Sequence, residues 1–187
     1  MLSSINSCIE YDAKTAQSCK QVAGMNEARS QAGCTVFQGS AVVCGGFREN
    51  GVGDVRNFVY TVESYDHVAD EWSYMPGMVR RGTYFKVFAV KNKLFAVGRR
   101  GESCQVYDSF SGKFVLMDSP VPGFNGQLIV AAFAVGSKIL FFRRNDSTVV
   151  VHDVDGGWWC EEACAAAEYV NYANRDTFCC IKSHQLI

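Results

Sequence analysis

A repeated spacing narrows the fold of this chain more than any other feature. Tyr65-Asp66 stands seven residues ahead of Trp72, Tyr107-Asp108 seven ahead of Phe114, and His152-Asp153 seven ahead of Trp159. A partial copy, Tyr11-Asp12, has Ser18 or Cys19 where the aromatic ring would fall. Each complete copy follows an apolar run that ends in glycine or arginine: "AVVCGGF", "LFAVGRR" and "ILFFRR". Gly98 precedes Tyr107 by nine residues and Arg143 precedes His152 by nine, whereas Gly45 precedes Tyr65 by twenty, so the first complete copy carries an insertion. Polar turns at 38–40 ("QGS"), 91–93 ("KNK") and 136–138 ("GSK") each begin seven residues before the glycine-or-arginine position. Self-similarity over tens of residues decides architecture before local propensity does.

Each copy reads as four short strands: an apolar run, a tight turn, a second apolar run, a variable loop, the Tyr-Asp strand, a turn and the aromatic strand. Four strands in roughly 40 to 50 residues is the blade of a β-propeller. In "YFKVFAVKNKLFAVG", residues 84–98, almost every position is apolar, as expected for strands covered on both faces. Gly45-Gly46 closes the second strand, where glycine tolerates positive φ and close approach. Tyr65 and Trp72 supply large rings with one polar atom each, and Asp66 suits a side-chain-to-backbone turn.

"AVVCGGF", "VESYDHVADEWSYMPGM" and "MNEAR" together resemble the kelch repeat of kelch-like (BTB-BACK-kelch) proteins. The resemblance covers nearly the whole chain and weakens from residues 25–78 to 79–120 to 121–187. It implies an all-β fold, a partial kelch β-propeller, with Gly45, Gly46, Tyr65, Asp66, Trp72, Gly98, Tyr107, Asp108 and Trp159 as its structural motif. Three departures mark the later copies as degenerate: Arg99 replaces the second glycine of one copy, Arg143-Arg144 replaces both in the next, and His152 and Phe114 stand in tyrosine and tryptophan slots. The expected organisation is one kelch-repeat domain over 1–187: a half-blade at 1–24, blades at 25–78 and 79–120, a degenerate blade at 121–172, and the start of a cut blade at 173–187. Propellers of this kind usually close with about six blades. The expectation is therefore a piece of a longer ring, the alternative being closure of the N-terminal half-blade on the C-terminal strand.

With 187 residues, 48% of them hydrophobic, and a net charge of −1, the chain can bury an ordinary core. It has no apolar run of membrane-spanning length and no signal-peptide pattern at its start, so a cytoplasmic location, with cytoskeletal association open, is expected and no membrane partner. The near-neutral charge argues against nucleic acid. Nine cysteines, an odd number partly inside strand-like runs, read as structural thiols. No paired C-x-x-C motif supports zinc, and neither a metal nor a cofactor is expected. His67, His152 and His184 fall far apart in the blade scheme, and no nucleophile-base, paired-carboxylate or phosphate-loop arrangement can be assembled, so no enzyme is expected.

The arginines carry the functional expectation. In the blade scheme Arg48, Arg56, Arg99, Arg100, Arg143 and Arg144 fall in loops between second and third strands, and Arg29, Arg80, Arg81 and Arg175 in blade-linking segments. Both loop types emerge on one face, while Lys14, Lys91, Lys93, Lys113 and Lys138 fall at the opposite turns. A guanidinium offers a planar fork for carboxylates, whereas an ammonium is a hydrated point charge. Arg29, Arg48, Arg56, Arg80, Arg81, Arg99, Arg100, Arg143 and Arg144 are thus the candidate partner-binding residues, suited to a protein with an acidic motif. The plainer reading is pairing with nearby acids such as Glu27, Glu49, Asp54, Glu102 or Asp146. The insertion "RENGVGDVRNFVY" would overhang the same face as an adaptable contact loop. The resemblance implies substrate recognition for a cullin-RING ubiquitin ligase, which would be reached only through BTB and BACK domains outside these residues; actin binding is the alternative.

Overall fold

The computed structural model describes residues 5–11, 19–48, 57–81, 85–98, 104–119, 121, 124, 129–144 and 148–163. Every regular element among them is a β-strand, and every pairing is between sequence neighbours. The two-stranded sheet joins β1 (Cys8–Tyr11) to β2 (Cys19–Val22). Three four-stranded antiparallel sheets follow. They comprise β3 (Gly33–Phe37), β4 (Ser40–Cys44), β5 (Val62–Asp66) and β6 (Glu71–Met75); then β7 (Lys86–Val90), β8 (Lys93–Val97), β9 (Gln105–Asp108) and β10 (Lys113–Leu116); then β11 (Ile129–Val135), β12 (Lys138–Arg143), β13 (Thr148–Asp153) and β14 (Trp159–Ala163). The chain divides into two compact units: Met1–Arg99 with Ser103–Met117, and Arg100–Glu102 with Asp118–Ile187. No helix among the described residues is long and apolar enough to cross a membrane.

Strand pairing explains the seven-residue spacing. Tyr65 is the cross-strand partner of Trp72, Tyr107 of Phe114, and His152 of Trp159. The ring centroids lie 5.2, 5.3 and 4.3 Å apart. Opposed aromatic pairs stabilise an antiparallel pair beyond their burial alone. His152 keeps the stacking role of the tyrosine it replaces, and Trp159 packs further on Phe124 and Phe141. The aspartate after each ring closes the turn: Asp66 Oδ1 accepts Val68 and Ala69 N–H, Asp108 Oδ1 accepts Phe110 N–H, and Asp153 Oδ1 accepts Asp155 and Gly156 N–H. The polar turns between first and second strands are two-residue hairpins, with Gln38 (φ 51°) and Gly39 (φ 83°) joining Phe37 to Ser40.

In the first unit the sheets β3–β6 and β7–β10 share one core. Phe37, Val42, Cys44 and Val62 pack with Phe85, Leu94, Ala96 and Phe114. The first strands approach closely at Gly33, where a Cβ would lie 2.4 Å from Val87 Cγ2 and 2.5 Å from the Phe85 carbonyl oxygen. Gly45 (φ 61°) admits the Phe85 ring and the Met78 methyl, which would stand 3.0 and 2.9 Å from an added Cβ. Gly46 (φ 93°) lets the loop approach the Ser30 carbonyl. In the second unit Phe142, Val149 and Val151 form a core with Val130, Phe133 and Leu140 packed against it.

Candidate functional site

The loop end of the β3–β6 sheet is built outward from Gly45-Gly46. Beyond these glycines the chain stays extended. Phe47 exchanges backbone hydrogen bonds with Ser30 (2.9 Å each), Arg48 N–H donates to Asn57 C=O (2.9 Å), and Val59 N–H donates to Gly46 C=O (2.9 Å). This short ladder fixes Arg48 beside residues 57–61, which with Glu27 line a cavity of about 210 Å³. A hollow of that size accommodates one side chain of a partner.

Four charges meet there. Glu27 accepts hydrogen bonds from Arg48 Nη2 and Thr61 Oγ1 and lies 3.6 Å from Arg29 Nη2. Arg29 Nη2 is also bound to Glu63 Oε1, and its Nη1 donates to the carbonyls of Gly45 (3.0 Å) and Thr61 (3.1 Å). Glu63 in turn accepts the backbone N–H groups of Asn26 (2.6 Å) and Glu27 (3.2 Å). The arginine side chains differ sharply in access: Arg29 is 1% exposed and Arg48 42%.

That difference corrects part of the sequence expectation. Arg29 is an internal cation that ties the incoming segment to β5, so it presents nothing to a partner. Arg143 is likewise buried, held by Glu161 (2.5 Å) and Thr148 Oγ1 (2.9 Å). The pairing acids are Glu27, which the sequence suggested, and Glu63 and Glu161, which it did not. Arg48, Arg80, Arg81 and Arg144 remain accessible. Arg56, Arg99 and Arg100 lie outside the described residues, as does most of the 48–60 insertion. The structure therefore gathers Arg29 and Arg48 around Glu27 and leaves Arg80 and Arg81 exposed after β6, while Arg143 and Arg144 belong to the second unit.

The motif residues have structural work. Trp72 Nε1 donates to Ala23 C=O (2.9 Å), and Tyr65 hydroxyl donates to Asp70 Oδ1 (2.7 Å), which also accepts Ala23 N–H (2.8 Å). That backbone hydrogen bond, with the tyrosine's, holds the Asp70 carboxyl below its ordinary pKa. Burial pushes the thiols of Cys44 and Cys104 up to about 12, which makes them apolar packing groups. Among the described residues no cluster of three or more His, Cys, Asp or Glu could hold a metal ion.

Successive four-stranded antiparallel meanders, two of them sharing a core across their first strands, define a partial β-propeller. Residues 28–79, which contain β3 to β6, match the family model of the Kelch motif. Repeats of this kind generally mediate protein–protein binding, and no enzymatic family is indicated. No curated protein matches the chain.

Proposed function

We propose that this chain is a non-catalytic recognition module that captures a protein partner bearing an acidic segment. The observation that carries the reading is the loop end of the β3–β6 sheet. There Arg48, half-exposed and fixed by backbone pairing, borders a side-chain-sized cavity, and Arg80 and Arg81 stand exposed after β6. Glu27 occupies Arg48 in the free protein but keeps Thr61 and Arg29 as alternative partners. A partner's carboxylate can therefore replace Glu27 on Arg48 without stranding a charge. The resemblance to kelch-like proteins extends this reading to target capture for a cullin-RING ubiquitin ligase, with ligase recruitment left to other domains.

The test is binding of immobilised acidic peptides to the chain and to Arg48→Ala/Arg80→Ala/Arg81→Ala. At least a tenfold loss, roughly the worth of two charge-assisted contacts, with unchanged thermal melting supports the reading. Retention of every peptide by the triple variant removes it. Binding of filamentous actin with no acidic peptide retained would favour a cytoskeletal role.

A further inference from the structure

The opposite end of the first unit carries a different surface. It is made by the turns between third and fourth strands, and each of two successive sheets presents one bare apolar side chain there. Val68 is 83% exposed and Phe110 97%. Neither sits on a loose loop. Val68 N–H is bound by Asp66 (2.8 Å), and the Phe110 turn is pinned by Asp108, with Ser109 Oγ donating across to Asn92 C=O (3.0 Å). The Phe37 and Tyr107 rings, 6.1 Å apart, join the two sheets at this same end.

The charges around the two apolar tips are opposite. Lys93 and Lys113 are both cross-strand partners of Asp108, so they flank one carboxylate in a row, and exposed Lys91 adds a third cation to the Phe110 side. On the Val68 side exposed Asp66 and Glu71 are cross-strand partners, and Asp70 adds a third carboxylate, which Lys20 partly offsets. One end of one compact unit thus holds a basic patch with an aromatic tip beside an acidic patch with an aliphatic tip.

We propose that this end is a self-recognition surface whose occupant is a second copy of the chain. A two-fold axis between the patches sets the Phe110 and lysine turn of each copy on the Val68 and carboxylate turn of the other. Both contacts form at once, as an isologous interface requires. The adjacent carboxylates argue against an anionic bilayer or a nucleic acid as occupant, since either would meet like charge over half the surface. The surface is distinct from the arginine-bearing end, so its use does not depend on partner capture there.

The experiment is sedimentation velocity on the full chain at low and high salt, with melting curves as the folding control. The wild type is expected to form a dimer that weakens about tenfold between 0.05 and 0.5 M salt, as screening predicts for exposed charges. Lys113→Glu and Glu71→Lys alone should each weaken it about tenfold, because each reversal acts twice in a symmetric dimer. An equimolar mixture of the two should restore a heterodimer to within about threefold of the wild type, since each basic patch then faces an acidic one. Phe110→Ser should weaken the dimer without altering melting. A monomer at every concentration overturns the proposal, and so does a dimer that ignores both reversals or a mixture that stays monomeric. Wild-type monomer that pellets with vesicles containing phosphatidylserine, and loses this with Lys113→Glu, overturns it in favour of a lipid surface.

Discussion

Glu63 and Gln105 occupy the same place in successive sheets, two residues before the tyrosine of the repeat, and both are completely buried. Each latches the segment that leads into its sheet. Glu63 accepts the N–H groups of Asn26 and Glu27, and Gln105 both accepts Arg80 N–H (2.9 Å) and donates to Arg80 C=O (2.7 Å). The two solutions differ in charge. A carboxylate at this depth needs a cation, which Arg29 supplies; an amide satisfies a donor and an acceptor of one residue unaided. In the second unit the position is Val150, also fully buried, and a polar latch is replaced by apolar packing.

This difference sets the expected cost of removing each latch. Glu63→Ala leaves the buried Arg29 guanidinium with only the more distant Glu27 carboxylate, 3.6 Å away, and should destabilise the chain by about 3 kcal/mol. Gln105→Ala strands the Arg80 peptide groups and no buried charge, and should cost about 2 kcal/mol. Urea unfolding of both variants measures the gap. Equal losses would mean that the charge of Glu63 contributes nothing beyond its hydrogen bonds.

Trp72 ties its strand to a residue 49 positions earlier through the indole N–H. Trp72→Phe keeps an aromatic ring opposite Tyr65 and removes that one donor, so it should cost about 1 kcal/mol, with some further loss from the smaller ring. Tyr107 already faces a phenylalanine, Phe114, at nearly the same ring separation. If Trp72→Phe is neutral by urea unfolding, ring contact alone explains the spacing repeated within this chain and the hydrogen bond to Ala23 is incidental.

Much of the architecture was legible because it depends on local periodicity. The seven-residue spacing is the register of a hairpin, the aspartates announce their turns, and Gly45-Gly46 announces positive φ. The fate of the arginines was not legible. Arg29 and Arg143 read as loop cations, and what buries Arg29 is a carboxylate 34 residues away. Glu63 itself was missed because a lone glutamate in "VESYD" reads as the polar face of a strand, whereas strands between neighbouring sheets have no polar face. Its one available signal was its equivalence to Gln105, two polar residues at the same repeat position within apolar surroundings. Two of the six candidate contact residues that the structure describes, Arg29 and Arg143, therefore needed partners from distant sequence before their burial could be judged.

Glycine positions should separate turn strain from close packing. Gly112 has φ 63° with nothing within 4 Å of an added Cβ, so Gly112→Ala incurs only the left-handed backbone penalty, about 1 kcal/mol. Gly46→Ala has the same backbone problem, and its Cβ would also stand 2.6 Å from the Ser30 carbonyl oxygen, which belongs to the ladder that positions Arg48. A loss of more than about 2 kcal/mol is expected there. Its effect should extend to acidic-peptide binding, while Gly112→Ala leaves binding intact. Comparable melting of the two variants would show that the Ser30 segment yields at no cost.

The turn carboxylates set the acid sensitivity of the fold. Backbone N–H bonds from Ala69 and Val68 lower the Asp66 pKa, the Ala23 N–H and the Tyr65 hydroxyl lower that of Asp70, and Phe110 N–H lowers that of Asp108. A carboxylate with a depressed folded pKa contributes stability that is present above its unfolded value and is lost as pH falls through the folded one. The urea midpoint should therefore hold between pH 7 and 5 and decline as the pH drops past the ordinary aspartate value of 3.8. The Tyr65 hydroxyl sees the same bond from the other side. Its hydrogen bond to Asp70 raises its pKa to about 12 from 10.0, so its share of the stability persists below pH 10 and is lost as the pH climbs toward 12. Asp70→Asn should flatten the acid decline and bring the titration of one tyrosine back toward its ordinary range, read by tyrosinate absorbance. If that variant loses midpoint in parallel with the wild type down to pH 3 and its tyrosine titration is unchanged, the Tyr65 to Asp70 bond does not persist in solution.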